Sequence, residues 1–273
     1  MSDSTPPPAP EEVIANRRWW LRRQPFPHLV VEDLFAPGFY QSLERAFLEQ
    51  LANGYQADPL PGAPADAPPH VERFTRAMPG YDAMTLRLMP GLKGPLSFFT
   101  GRPFHDLLAR AAGVVPTLDV NAGLHHHTPG SRTGWIHNDL NPGWFVRSPN
   151  PDGVNLGDPR SCDYFHGTSS APPHQTVRAA AMLFYLANPP WQPGDGGETG
   201  LYRSVSDRAD RPVAVVPPRN NSLLLFRCTP HSYHAFQSNR KSPRNTVILW
   251  LHTTPEHVSA EWGPNVVVPW PRS

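Results

Sequence analysis

The chain is poor in cysteine, poor in charge and free of long apolar runs, and each shortage removes a class of function. Only Cys162 and Cys228 occur among 273 residues, far apart and outside any CxxC pair. A disulfide framework and a thiolate zinc site are thereby excluded. Charged residues make up 17% of the chain, and 24 basic side chains nearly balance 23 acidic ones. A net charge of +1 exerts no general pull on nucleic acid or an anionic membrane, so neither partner is expected. No apolar stretch approaches the roughly 18 residues of a membrane span. The opening MSDSTPPPAP has neither the basic start nor the apolar run of a secretory signal, so the expected location is cytoplasmic.

What is abundant is proline. With 36 prolines and 20 glycines, about a fifth of the chain resists helix interiors and central strands. This argues for a loop-rich β fold with a few helices. Residues 1–24 read as a disordered or helical N-terminal extension, with 1–10 disordered and EEVIANRRWWLRRQ (11–24) a helix ended by Pro25. FPHLVVEDLF (26–35) reads as a short strand entering a turn. Phe39, Tyr40, Leu43, Ala46, Phe47 and Leu51 recur at helical spacing from Pro37 to about Asn53, with Gly54 just beyond. Residues 57–70 form a Pro/Ala loop, and a second helix is expected around Phe104–Ala112. After Val114 short apolar runs alternate with turn clusters, the pattern of a sandwich or barrel. A long Pro/Asn/Gly/Ser loop over 141–176 interrupts them and is expected to act as a lid. The whole is one α+β domain over 25–254, its β core starting near 115, with 255–273 a C-terminal tail.

The chemistry centres on His137-Asn138-Asp139. If Trp135–Leu140 is a strand, His137 and Asp139 point to one face, because side chains alternate with period two. An imidazole beside a carboxylate fills two positions of a 2-His-1-carboxylate site, the open-sided arrangement of non-haem Fe(II) oxygenases. By itself the pair equally describes a hydrogen-bonded surface histidine. His234, in Ser232-Tyr233-His234, is the candidate third ligand, with His231 its rival. Arg244 opens the apolar strand VILWL ten residues after His234. A guanidinium there suits bidentate capture of a carboxylate, and the Thr246 hydroxyl faces the same way. A structural salt bridge is the plainer role for Arg244.

The ordered set resembles the 2-oxoglutarate- and Fe(II)-dependent dioxygenases, in particular the prolyl-4-hydroxylase-like branch. The matching stretches are Gly134-Trp-Ile-His-Asn-Asp139, Phe184-Tyr-Leu-Ala-Asn188 with Trp191, Gly196-Gly-Glu198 with Leu201-Tyr202, Val216-Pro217-Pro218 with Asn221 to Phe226, Ser232-Tyr-His234 and Arg244-Asn-Thr246. Pro25-Phe-Pro-His-Leu-Val30 looks like the family's first strand. The resemblance covers most of 25–254. It implies a double-stranded β-helix, a cupin-like jelly roll with N-terminal supporting helices. His137, Asp139 and His234 match the iron ligands, and Arg244 matches the residue that binds the distal carboxylate of 2-oxoglutarate.

Where several relatives carry a co-substrate tyrosine, this chain has His127, with Tyr185 a second candidate for that contact. The cofactors implied are Fe(II), 2-oxoglutarate and O2, with ascorbate a further candidate. Succinate and CO2 would be the co-products. The substrate would be a peptidyl or free amino acid of proline type, or a small natural product. Related halogenases have a small residue in place of Asp139, so the carboxylate argues for hydroxylation or desaturation.

Other features have plainer readings. Of His125, His126 and His127, only the first and last can share a strand face, so at most those two could line the site. His252 reads as structural. Gly196-Gly197 reads as a turn or bulge beside the site. Trp135, Trp144 and Phe145 are either a substrate wall or packing. RRWWLRR (17–23) reads as a helix with a solvated basic face and tryptophan docked on the core. Two other classes compete with the dioxygenase. One is a non-catalytic β-helix binding or scaffold protein. The other is a cupin-type metalloenzyme that does not use 2-oxoglutarate, in which Arg244 would have no task. The oligomeric state is open.

Overall fold

The computed structural model of the chain describes residues 7–56, 73–78 and 80–269. The first half forms α1 (Pro10–Val13), β1 (Trp20–Arg22), β2 (His28–Val31), α2 (Pro37–Ala52), β3 (Tyr55–Gln56), β4 (Phe74–Met78) and β5 (Tyr81–Arg87). A 3-10 segment (Pro95–Thr100), α3 (Arg102–Ala112), β6 (Val120–His127) and β7 (Pro142–Val146) follow. The second half adds β8 (Pro173–Tyr185), β9 (Thr199–Leu201), β10 (Ala214–Val216), β11 (Ser222–Arg227), β12 (His234–Phe236), β13 (Arg244–Thr253) and α4 (Pro255–Trp262).

The strands make two sheets. The large one runs β1-β2-β11-β8-β13-β6-β5-β4-β3, with β7 added on β8, and the small one runs β10-β9-β12. β13 lies between β8 and β6 and is buried along nearly its whole length, as a central strand covered on both faces should be. On one face of the large sheet, Val247, Leu249 and Leu251 pack with Phe184, Phe35, Phe47 and Phe104 under α2, the 3-10 segment and α3. On the other, Ile248, Leu183 and Tyr185 meet Leu201 and Val216 of the small sheet. The result is the jelly-roll fold expected, two mostly antiparallel sheets facing each other with helices behind the larger. No helix among the described residues is long and apolar enough to cross a membrane.

Both main helices fall where periodicity put them. α2 has proline in its first turn and buries Leu43 and Phe47, one turn apart. α3 ends on Gly113 at φ 65°, the left-handed cap that glycine takes without steric cost.

Several expectations change. The helix over 11–24 is confined to α1, and residues 20–22 pair instead with β2 in the register Trp20↔Val30. Trp19, just before the strand, packs on the core, while Trp20 is 64% exposed. The edge of β2 offers hydrogen bonds that outweigh a weak local helix preference. The β core does not begin near 115, because β4 and β5 extend the large sheet beyond β6. The loop over 141–176 contains β7, paired with the start of β8, and buries Phe145, Leu156 and Tyr164. In the C-terminal tail Val258 is buried, Val266 and Val267 pack against the apolar cluster that holds Ile248 and Leu201, and Asn141 Nδ2 donates to the Val268 carbonyl at 2.7 Å. The Pro/Ala loop over 57–70 and the first six residues lie outside the described residues.

Candidate metal and co-substrate site

His137 and His234 are brought together by their own backbones. They form an isolated antiparallel bridge, His137 N–H donating to the His234 carbonyl at 3.1 Å and the reverse bond measuring 2.8 Å. Trp135–Leu140 is thus not a regular strand, and strand alternation is not what aligns His137 with Asp139. Asp139 has φ 61°, a left-handed conformation that Asp tolerates better than most residues. That turn, held by Leu140 N–H donating to Asn138 Oδ1 at 3.1 Å, swings the carboxylate back toward both imidazoles.

The Asp139 oxygens lie 3.7 Å from His137 Nε2 and 3.4 Å from His234 Nε2. Each imidazole has Nδ1 on a carbonyl two residues upstream, Trp135 O at 2.9 Å and Ser232 O at 3.0 Å. A carbonyl only accepts, so Nδ1 carries the proton and Nε2 turns a lone pair to the shared space. Burial, and then the neighbouring His234, push the His137 imidazole down to about 3, keeping it neutral. One ligand atom from each of His137, Asp139 and His234 lies within 4.8 Å of the others, a donor set that fits a divalent metal ion.

The carboxylate is clamped from behind. Arg178 Nη1 donates to Oδ1 at 2.8 Å, and Trp250 Nε1 donates to Oδ2 at 2.7 Å. The guanidinium lies over the Trp250 ring, 4.0 Å from its centroid. Burial alone would raise the Asp139 carboxyl, but the Arg178 guanidinium holds it far below the usual carboxylate range. Ionised and oriented, it is ready to bind a cation.

Arg244 is 4% exposed at the start of β13. Its Nη1 donates to Thr246 Oγ1 at 3.1 Å and its Nη2 to Thr199 Oγ1 at 3.2 Å. Tyr185 Oη shares a 2.7 Å hydrogen bond with Thr199, and its ring lies 5.2 Å from the guanidinium carbon. The salt-bridge reading of Arg244 is corrected: among the described residues no carboxylate pairs with it, and its buried Nε has no hydrogen-bond partner. Among the described residues this buried cation meets two hydroxyls and the Tyr185 and Phe236 rings but no anion. Gly196 and Gly197 pass close by at φ 82° and 83°. A side chain on Gly196 would collide with the Ser238 carbonyl, and Gly197 lies against the Arg244 stem.

His127 pairs directly with Arg244 across the ladder and is fully buried, stacked on Phe236 at 3.9 Å. Burial, with Arg244 adding to it, keeps its imidazole neutral. His126 faces the opposite way and bonds Asn245 Oδ1 at 2.7 Å, while His125 shares the His127 side near Trp250. None of the three joins the metal-binding group. His231 is exposed on the preceding loop. His252 is buried among Tyr164, Thr176 and Phe145, a structural place. Trp135 stands against Tyr81, and Phe145 is packing.

Sequence reading missed four residues here. Trp250 lies on the same alternating face as Arg244 and Thr246, and Arg178 is a charge inside an apolar strand, so both were discoverable by the logic that singled out Arg244. Thr199 and Tyr81 carried no signal. The Tyr81 phenol is pushed up to about 12 by burial, with Asp139 adding and Arg244 opposing, so it feels both halves of the site.

Comparison with known proteins agrees with this geometry. The family model described as the 2OG-Fe(II) oxygenase superfamily matches residues 162–252, a span that includes His234 and Arg244 and begins after Asp139. No curated protein matches by sequence. Among solved structures, a Trichoplax adhaerens prolyl hydroxylase in complex with a hypoxia inducible factor peptide fragment is similar at TM-score 0.50 and 16% identity. The match covers 86% of this chain and 86% of that one. A Pseudomonas putida prolyl-4-hydroxylase is similar at TM-score 0.49 and 14% identity, over 82% of this chain and 91% of that one. At such identities the likeness is one of fold. Residues 162–252 thus resemble the 2OG-Fe(II) oxygenase superfamily, and the chain shares its fold with the Trichoplax prolyl hydroxylase.

Proposed function

We propose that His137, Asp139 and His234 hold Fe(II), that Arg244 binds the distal carboxylate of 2-oxoglutarate, and that the enzyme hydroxylates an unactivated C–H bond. Bound iron supplies oxygen activation coupled to decarboxylation of 2-oxoglutarate, giving succinate and CO2. The protein's part is orientation. Arg178 and Trp250 fix the carboxylate, and the two Nδ1–carbonyl bonds fix the imidazoles. Arg244 offers a rigid fork to a diacid, with Thr246, Thr199 and Tyr185 completing a polar cradle. His127 serves as a neutral wall beside that cradle, where a phenol would otherwise contact the co-substrate.

The observation that carries this reading is the buried Arg244, paired with no carboxylate among the described residues, on the same molecule as a compact pair of imidazoles and a carboxylate. A cupin-type enzyme indifferent to 2-oxoglutarate leaves that cation unexplained. Adding 2-oxoglutarate to the anaerobic Fe(II) protein should produce a visible charge-transfer band. Absence of the band, with no succinate formed in air, would refute the proposal.

For substrate we favour a proline-like residue, free or within a peptide, ahead of a small natural product. A peptide-bound prolyl hydroxylase with the same fold supports that order. Mass spectrometry of free L-proline and of proline-containing peptides after turnover should find a gain of one oxygen. Succinate formation without any such gain would redirect the search to small natural products.

A further inference from the structure

A line of buried side chains leads away from Asp139 into the segment between β7 and β8. Arg178 Nε bonds Tyr164 Oη at 3.0 Å. Tyr164 Oη meets His252 Nε2 at 3.1 Å, His252 Nδ1 meets Thr176 Oγ1 at 2.8 Å, and Thr176 Oγ1 meets the Gly143 carbonyl at 3.1 Å. Tyr164 and His252 are both buried.

The chemistry at the two ends decides every bond between them. A guanidinium only donates, so Tyr164 Oη accepts from Arg178 and its own proton goes to His252 Nε2. The Gly143 carbonyl only accepts, so Thr176 donates there and receives from His252 Nδ1–H. One arrangement satisfies all four links: His252 neutral, with its proton on Nδ1. An imidazolium would leave the Tyr164 proton without an acceptor. Burial, and then the Arg178 and Arg87 cations, likewise favour the neutral ring. Gly143 makes the crossing possible. A Cβ there would stand 2.6 Å from the Tyr164 ring and 2.8 Å from the His252 ring.

We infer that Tyr164 and His252 are a positioning pair for Asp139, acting through Arg178, so that the segment between β7 and β8 buttresses the metal site. The inference rests on the proposed role of Asp139 as a metal ligand. Tyr164 stops the guanidinium from rotating about its stem, and the fixed Nη1 then holds the carboxylate oxygen that faces His137. Arg178, one step removed from the ligand, is worth roughly 10- to 100-fold in metal affinity, and Tyr164, one step further out, a part of that.

The test uses the full chain and Mn(II). Tyr164→Phe keeps the ring and removes the hydroxyl, and should weaken Mn(II) binding roughly 3- to 5-fold, less than loss of Arg178 itself, while the circular dichroism stays that of the wild type. His252→Phe breaks the line one link further out and should have a smaller effect of the same sign. Independently of metal, 15N NMR of the wild-type protein should find His252 neutral and protonated at Nδ1, and in Tyr164→Phe this preference should weaken. Unchanged Mn(II) affinity in Tyr164→Phe overturns the inference, and so does a wild-type His252 that is charged or protonated at Nε2. A wild-type protein that binds Mn(II) no better than His137→Ala would instead remove the metal site itself, and the pair's role with it.

Discussion

The two faces of β13 obey different physics. Toward the helices, Val247, Leu249 and Leu251 join one apolar cluster, where stability comes from area withdrawn from water and from close packing. Toward the small sheet, Arg244, Thr246 and Trp250 each find a specific polar partner, around the apolar Ile248. The first face needs volume, and any residue of the right size serves. The second needs particular atoms in particular places, because a buried polar group left alone costs more than its bond contributes. Ten consecutive residues thus carry a core and a site back to back, separated only by the alternation of a strand.

Substitutions on each face should separate these two demands. The largest effect is expected from Asp139→Ala, which removes a proposed ligand and strands Arg178 and Trp250. Succinate formation should fall below detection, and Mn(II) binding should be lost. Leu249→Ala, on the core face, should cost about 3–4 kcal/mol of unfolding free energy by urea titration. Its KM for 2-oxoglutarate should stay at the wild-type value, and a marked rise would show that the faces are coupled.

Arg244→Ala is expected to raise that KM about 100-fold, ~2.7 kcal/mol, from lost charge-assisted bonds. Stability should change far less than in Leu249→Ala. Thr246→Val keeps the shape and deletes one hydroxyl, so KM should rise roughly five-fold, ~1 kcal/mol. The smallest effect belongs to His231→Ala, on an exposed loop. Its Mn(II) affinity should match the wild type, and a loss there would transfer the third ligand from His234 to His231.

Much of this was legible before any coordinates. Apolar runs marked β8, β11 and β13, and helical spacing marked α2 and α3. The order of His137, Asp139, His234 and Arg244 pointed to the family, and those side chains do converge in two adjoining groups. What misled was local. RRWW reads as helix until β2 offers an edge, and the loop over 141–176 hides β7 because its strand is short and proline-led. Tyr164 had no sequence mark at all, since its importance depends on a histidine 88 residues away.

The sequence by itself determined which residue types were present and which segments must be buried, because hydrophobic periodicity and proline placement act over a few residues. Only the tertiary structure decided how Asp139 reaches the histidines, through a left-handed turn and a two-residue bridge. It alone decided that Arg178 and Trp250 would grip that carboxylate, and that Arg244 would face two hydroxyls. Hydrogen-bond partners far apart in sequence are chosen by which strands pair and in what register, and no local pattern encodes that choice.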